Sequence, residues 1–254
     1  MEDNSQTEKD TLVIIPAFNE ESSLPLVLRD IPKERVREII VVNNGSTDRT
    51  PEVAEENGAT VLHESQKGYG KACLTGLTYA FKQNISNIAF LDGDYSDNPK
   101  ELTLLLKEID SGFDLVIGSR TLGKAEKDAL LPQAIFGNFL ATRLMKLFFG
   151  GFAFSDLGPF RIIRKNKLQE LSMKDEDFGW TVEMQVKALI HQLSCTEVSV
   201  SYKKRIGVSK ITGTIKGTFK AGHKILYTIF SLWHQTLFKK KSKKLKMGMG
   251  NGKK

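Results

Sequence analysis

Short apolar runs that end in polar loops recur along the first 120 residues. "TLVII" from Thr11 runs into "PAFNEESS", "REIIVV" into "NNGSTDRTP", and "IAFL" at 88–91 into "DGDYSDNP". Each run is short, apolar and followed by turn residues, so each reads as a buried strand. "ATVLHE" and "DLVIGS" have the same character. Helix signals fall between them. Ser22 or Ser23 caps a helix to Asp30, and Thr50 caps the next, with Pro51 in its first turn and Gly58 as its stop. A third helix follows "SQKGYGK" and runs to about Gln83; Pro99 opens a fourth, with Asp97 and Asn98 as its caps. The alternation predicts an α/β fold built on a mostly parallel, doubly wound sheet with helices on both faces. Ligands bind beyond the carboxyl ends of such strands, so the loops at 16–23, 43–50, 66–71 and 92–98 are expected to form one composite site.

After residue 120 the alternation stops. "IFGNFLATRLMKLFFG" has apolar residues at 135, 136, 139, 140, 144, 147 and 148, which is helical spacing. A second such helix aligns Ile215, Phe219, Leu226, Ile229, Phe230, Trp233 and Leu237, with Lys216, Lys220 and Lys224 elsewhere. Core or homodimer packing and binding to a membrane surface are both open to these helices. Neither apolar stretch holds the ~18 uninterrupted residues needed to span a bilayer. The expected organisation is a disordered N-terminus at 1–10, one α/β domain at 11–212, an amphipathic helix at 213–238 and a basic disordered tail at 239–254.

Charge sharpens that division. The chain carries +7, but residues 239–254 hold eight lysines and no acid, so the body is close to neutral. A nucleic-acid partner is therefore not expected, and the tail is suited to an anionic membrane surface. Cys73 and Cys195 lack metal-site spacing, and no signal peptide is evident, so a reduced cytosolic setting is the expectation. His63, His191, His223 and His234 fit no ligand spacing and read as structural or surface residues.

The loop after "IAFL" carries the chemistry. Asp92 and Asp94 are separated by Gly93 alone, so in extended geometry both side chains leave the same side of the chain. Hard Mg²⁺ or Mn²⁺ would relieve their repulsion and could be shared with a diphosphate. An EF-hand is excluded, because the sixth and twelfth positions from Asp92 are Asp97 and Thr103 instead of Gly and Glu. A phosphatase with an aspartyl nucleophile lacks its lysine and acidic-pair elements downstream. "GYGKAC" imitates a dinucleotide fingerprint, but Cys73 replaces its third glycine and it follows the third strand.

Seven segments in order, "VIIPAFNEESSL", "IIVVNNGSTDRT", "GYGKACLTGL", "FLDGD", "DLVIGSR", "SDLGPFRIIRK" and "RIGVSK", resemble the motifs of family 2 glycosyltransferases of the GT-A fold. The resemblance covers about residues 11–230 and points to the branch of dolichyl-phosphate mannose and glucose synthases, which move a sugar from a nucleotide diphosphate to a polyprenyl phosphate. It implies an inverting, metal-dependent enzyme at the cytosolic face of a membrane. Asp92 and Asp94 would hold Mg²⁺ or Mn²⁺. Pro16, Ala17, Asn19 and Glu20, then Asn43, Gly45 and Ser46, would meet the nucleoside; Lys67, Gly68, Lys71 and Gly93 would lie near nucleotide groups. Arg161 and Arg205 match arginines associated with phosphate groups near the sugar, Ser209 and Lys210 complete "RIGVSK", and Arg120 in "GSR" is a lesser candidate. Relatives commonly carry Asp where this chain has Asn43; an amide both donates and accepts, which suits uracil and favours a UDP-sugar. Glu183 sits where hydroxyl-glycosylating relatives have a base. A hydroxyl acceptor needs that base and an ionised phosphate does not, so Glu183 separates the leading reading from its alternative. A catalytically silent membrane-surface module is a further alternative.

Overall fold

The computed structural model describes residues 9–207 and 215–250, with α8 side chains described at 217 and 219–238. The expectations for residues 1–8, for Ser209 and Lys210, and for the side chains of Ile215, Lys216 and the tail lysines fall outside the described residues. Seven strands form one sheet in the order β3-β2-β1-β4-β6-β5-β7. They are β1 (Thr11–Ala17), β2 (Val36–Asn43), β3 (Thr60–His63), β4 (Asn87–Phe90), β5 (Leu115–Ser119), β6 (Arg161–Arg164) and β7 (Cys195–Ser199). All neighbouring pairs are parallel except those of β6, which runs antiparallel to both β4 and β5. β6 and β7 lie where the sequence pattern shows no alternation.

β1 shows why the centre is stable. Its residues are buried on both faces: Leu12 and Ile14 join Ile40, Val42, Phe90 and Leu77 on one side, while Val13 and Ile15 join Leu24, Leu28, Val41 and Leu102 on the other. Burying each such side chain contributes roughly 1.5–3 kcal/mol. α1 (Leu24–Asp30), α2 (Thr50–Glu56) and α4 (Leu102–Asp110) cover the second face. α3 (Tyr69–Ala80), α5 (Pro132–Phe149), α6 (Lys165–Leu171), α7 (Trp180–Ile190) and α8 (Ile215–Gly250) cover the first.

Capping differs in detail from expectation. Thr50 is the first residue of α2, and Asp48 accepts from its N–H at 3.0 Å and its hydroxyl at 2.5 Å. The Ser23 hydroxyl donates to the Glu20 carboxylate and caps nothing. Asn98 does accept from the Lys100 N–H, but Asp97 is buried with neither carboxyl oxygen hydrogen-bonded among the described residues. Burial, and Asp92 beside it, push the Asp97 carboxyl well above the usual range.

The two late helices divide their apolar residues. α8 seats Ile229, fully buried, and stacks Trp233 on Phe148 of α5 at 4.5 Å. α5 turns Ala141, Thr142 and Met145 inward. Ile135, Phe136, Phe139 and Leu147 of α5, and Phe219, Phe230 and Leu237 of α8, stay exposed. The expected single stripe on each helix is therefore split, because α5 and α8 pack on each other and on α7 through only part of it. α8 continues as helix to Gly250, past the expected end at 238. Among the described residues, no helix is long and apolar enough to cross a membrane.

Candidate active site

The parallel register of β1 with β2 and β4 brings Ala17 beside Asn43 and Ile14 beside Phe90, so the three loops that follow emerge on one edge. The first two interlock. Asn19 N–H donates to Ser46 Oγ at 2.9 Å, and Thr47 N–H donates to Asn19 Oδ1 at 2.8 Å. Glu20 N–H donates to Thr50 Oγ1 at 2.7 Å. Gly45, at φ +78°, makes the turn between them. Asn43 Oδ1 accepts from Ser46 N–H at 2.9 Å, while its Nδ2 lies 3.2 Å from His63 Nδ1. Asn44 donates to the Glu64 and Gln66 carbonyls and accepts from Gly68 N–H. These amides hold loops together, so the base-reading role expected of the Asn43 side chain meets an amide already used on both sides.

A cavity of about 340 Å³ opens at this edge. Pro16, Ala17, Phe18, Glu20, Asn44, Lys67, Gly68, Tyr69, Asp92, Gly93, Asp94 and Arg205 line it, joined by Asp177, Phe178 and Lys220. Asp92 accepts from the Tyr69 hydroxyl at 3.1 Å. Burial, and then the charge of Asp94, push its carboxyl far up from the ordinary carboxylate value. One Asp94 oxygen accepts from Ser96 N–H at 2.9 Å and Ser96 Oγ at 2.6 Å; the other pairs with the Arg205 guanidinium. Lys67 sits over the Phe18 ring, 5.0 Å from its centroid.

These residues fit a hard divalent cation. Of the four acidic residues that line the pocket, Asp92 and Asp94 sit two apart on one loop, and burial together with the Asp94 charge disfavours ionisation of Asp92. Among the described residues no group of three or more His, Cys, Asp or Glu side chains gathers as a metal centre. The protein thus offers two carboxylates and leaves further positions to phosphate and water, the pattern favoured by Mg²⁺.

Four expected residues are placed differently. Arg161 is fully buried at the start of β6, donating to the carbonyls of Thr181, Leu157 and Gly158. Burial pushes its guanidinium down to about 10, and it does not line the cavity. It pins the turn before β6 and the start of α7. Arg120 forms a bidentate pair with buried Asp156 at 2.7–2.8 Å; burial opposes its charge, but Asp156 outweighs that and raises it. Glu183 lies in a separate cavity of about 950 Å³ between α6, α7 and α8. Its oxygens accept from Lys174 and Asp175 N–H groups at 3.1 and 2.7 Å and pair with Lys187 at 2.7 Å, so a free base is not available there. Lys71 pairs with Glu176 at 2.7 Å.

The sequence reading missed Tyr69, Asp177, Phe178 and Lys220 as pocket residues. The signal for Asp177 and Phe178 is the acidic-aromatic run "KDEDFGW" at 174–180. Its carbonyls at Asp175 and Glu176 press on Gly70 and Gly68, where any Cβ would collide with them. That close approach, more than phosphate binding, accounts for the glycines of "GYG".

The sheet order, the antiparallel β6 and the acidic pocket define the GT-A class of transferase fold. Solved structures of glucosyl-3-phosphoglycerate synthase from Mycobacterium tuberculosis share it: one, in complex with Mn²⁺, UDP-glucose and phosphoglyceric acid, superposes with a TM-score of 0.71 at 18% identity over 90% of this chain and 81% of that chain. The chain belongs to glycosyl transferase family 2, whose model matches residues 12–172. A glycosyltransferase of undetermined substrate from M. tuberculosis is 33% identical over 82% of this chain and 93% of its own length. The polyprenol monophosphomannose synthase of Mycolicibacterium smegmatis is 29% identical, covering 80% and 82%. The dolichyl-phosphate hexose transferase of Haloferax volcanii is 28% identical, covering 81% and 88%. The resemblance to the lipid-phosphate branch is thereby borne out.

Proposed function

We propose that this chain is an inverting hexosyltransferase that carries a sugar from a nucleotide diphosphate, UDP favoured, to a polyprenyl phosphate at the cytosolic face of a membrane. The observation that carries it is the pairing of Asp92 and Asp94 in one pocket with Lys67 and Arg205 beside them. Bound there, Mg²⁺ or Mn²⁺ would neutralise the charge that develops on the departing diphosphate. The acceptor phosphate oxygen attacks the anomeric carbon from the face opposite the leaving group. The anomeric carbon–oxygen bond breaks, and its electron pair goes to the β-phosphate. Arg205 and Lys67 supply fixed positive charge around that phosphate.

Two observations support the acceptor and the donor. Glu183 is engaged by the Lys174 and Asp175 N–H groups and by Lys187, which supports a phosphate acceptor, since that arrives ionised and needs no base. The neighbours of this fold that hold UDP and Mn²⁺ support UDP. Exposed Phe136, Phe139 and Leu147 on α5, with the basic tail, support a peripheral seat on anionic lipid. Calorimetry of UDP and GDP with Mn²⁺, with and without chelator, on wild type and Asp92→Asn tests the reading. Metal-dependent UDP binding that the substitution abolishes is expected. Absence of metal-dependent binding of either nucleotide to the wild type would overturn it in favour of a silent surface module.

A further inference from the structure

The pocket has a wall that belongs to the C-terminal helix. Lys220 of α8 lines the same cavity as Asp92 and Asp94, together with Asp177 and Phe178 from the loop before α7. Its ammonium stands 3.5 Å from Asp177 Oδ2 and 5.4 Å from the centroid of the Phe178 ring. The side chain is 70% exposed, so the pair with Asp177 holds it weakly and leaves it able to take a stronger anion.

The seat of α8 is built more firmly than that one contact. Asp175, almost fully buried, accepts from Asp177 and Gly179 N–H groups with one oxygen and pairs with Lys224 at 2.9 Å through the other. Gly179 packs so closely on Thr228 that a Cβ would meet its hydroxyl at 2.6 Å. One turn of helix separates Lys224 from Lys220, so the Asp175 pair sets where Lys220 stands. The loop is fixed on its other side by Glu176, whose carbonyl accepts from Lys71 N–H at 2.9 Å. The pocket therefore carries cations from three separate elements: Lys67 before α3, Arg205 after β7 and Lys220 on α8.

We infer that Lys220 is a phosphate-binding residue of this site, delivered by α8 and poised over Phe178. The inference rests on the donor-pocket reading above. Its ligand is an anionic phosphate oxygen, from the donor diphosphate or the acceptor phosphate. An ammonium suits this as a mobile point charge, in contrast to Arg205, which is paired with Asp94.

The test uses the full chain and three variants, Lys220→Ala, Lys220→Arg and the distant control Lys107→Ala on α4. UDP–Mn²⁺ affinity is measured by calorimetry at two salt concentrations, and KM is measured for a polyprenyl phosphate in detergent. Lys220→Ala should weaken one of the two by about tenfold and flatten its salt dependence, with Lys220→Arg restoring most of it and Lys107→Ala changing neither. Weaker UDP binding assigns the contact to the donor; unchanged UDP binding with a raised KM assigns it to the acceptor. Wild-type affinity and KM in Lys220→Ala would overturn the inference while leaving the donor site intact. No wild-type UDP binding at all would instead overturn the reading on which it rests.

Discussion

Two cavities in this molecule are lined by carboxylates and cations, and they differ in how those charges are balanced. In the larger, around Glu183, each buried acid has a partner: Glu183 meets Lys187 and two backbone N–H groups, and Asp175 meets Lys224 and two more. In the smaller, Asp92 and Asp94 face one pocket, and the Asp92 carboxyl is pushed up by burial and by its neighbour. Size alone would favour the first as the active site. The raised Asp92 carboxyl of the second is the kind of perturbation that clusters at ligand-binding sites, and it favours the smaller cavity as the donor pocket proposed above.

The largest test of that contrast pairs Asp92→Asn with Glu183→Gln. Asp92→Asn should abolish metal-dependent UDP binding yet hold or raise Tm, since an amide does not have to bury a charge there. Glu183→Gln should leave UDP affinity near wild type but cost about 2 kcal/mol of stability, by weakening the acceptor of two backbone N–H donors and stranding Lys187. Calorimetry and thermal unfolding on both variants check the two halves; the reverse pattern would erase the distinction.

A smaller effect is the dependence on pH. The Asp92 carboxyl, raised from 3.8 to about 7, binds its proton more tightly folded than unfolded. Its contribution to stability therefore declines as pH climbs from about 4 to about 7, and Mn²⁺ must displace the proton over that window. Mn²⁺ affinity should rise roughly tenfold per unit until about pH 7 and then level, with proton release measurable in buffers of different ionisation enthalpy. A flat profile would mean that Asp92 is already ionised without metal.

The smallest expected effect concerns the outer face. Phe136→Glu with Phe139→Glu on α5 should reduce flotation on anionic liposomes several-fold while leaving UDP binding unchanged, because neither residue lines the two cavities compared above. Equal flotation would assign those exposed rings to another copy of the chain, a result that sedimentation would show as a dimer.

Much of this was legible along the chain because the information is local. A strand of period-2 or fully apolar character followed by turn residues announces its own end, and in β1, β2 and β4 that end is where the site lies. Asp92 and Asp94 were legible for the same reason: their spacing alone sets both on one side of one loop. Arg161, Arg120 and Glu183 were not. Motif position associates them with phosphate or proton transfer, but their work is decided by what lies across the fold: the Gly158 and Thr181 carbonyls, Asp156, and Lys187 with the 174–175 backbone.

What the sequence by itself determined was the α/β alternation, the shared edge of its loops and the two acids that suit a divalent cation. Only the tertiary structure decided that β6 inserts antiparallel between β4 and β5, that the run 174–179 closes the pocket, and that α8 brings Lys220 into it. The physical reason is distance along the chain. Propensity, capping and spacing act within a few residues, whereas strand pairing and the choice of partner for a buried charge are settled by groups that meet only once the sheet has formed.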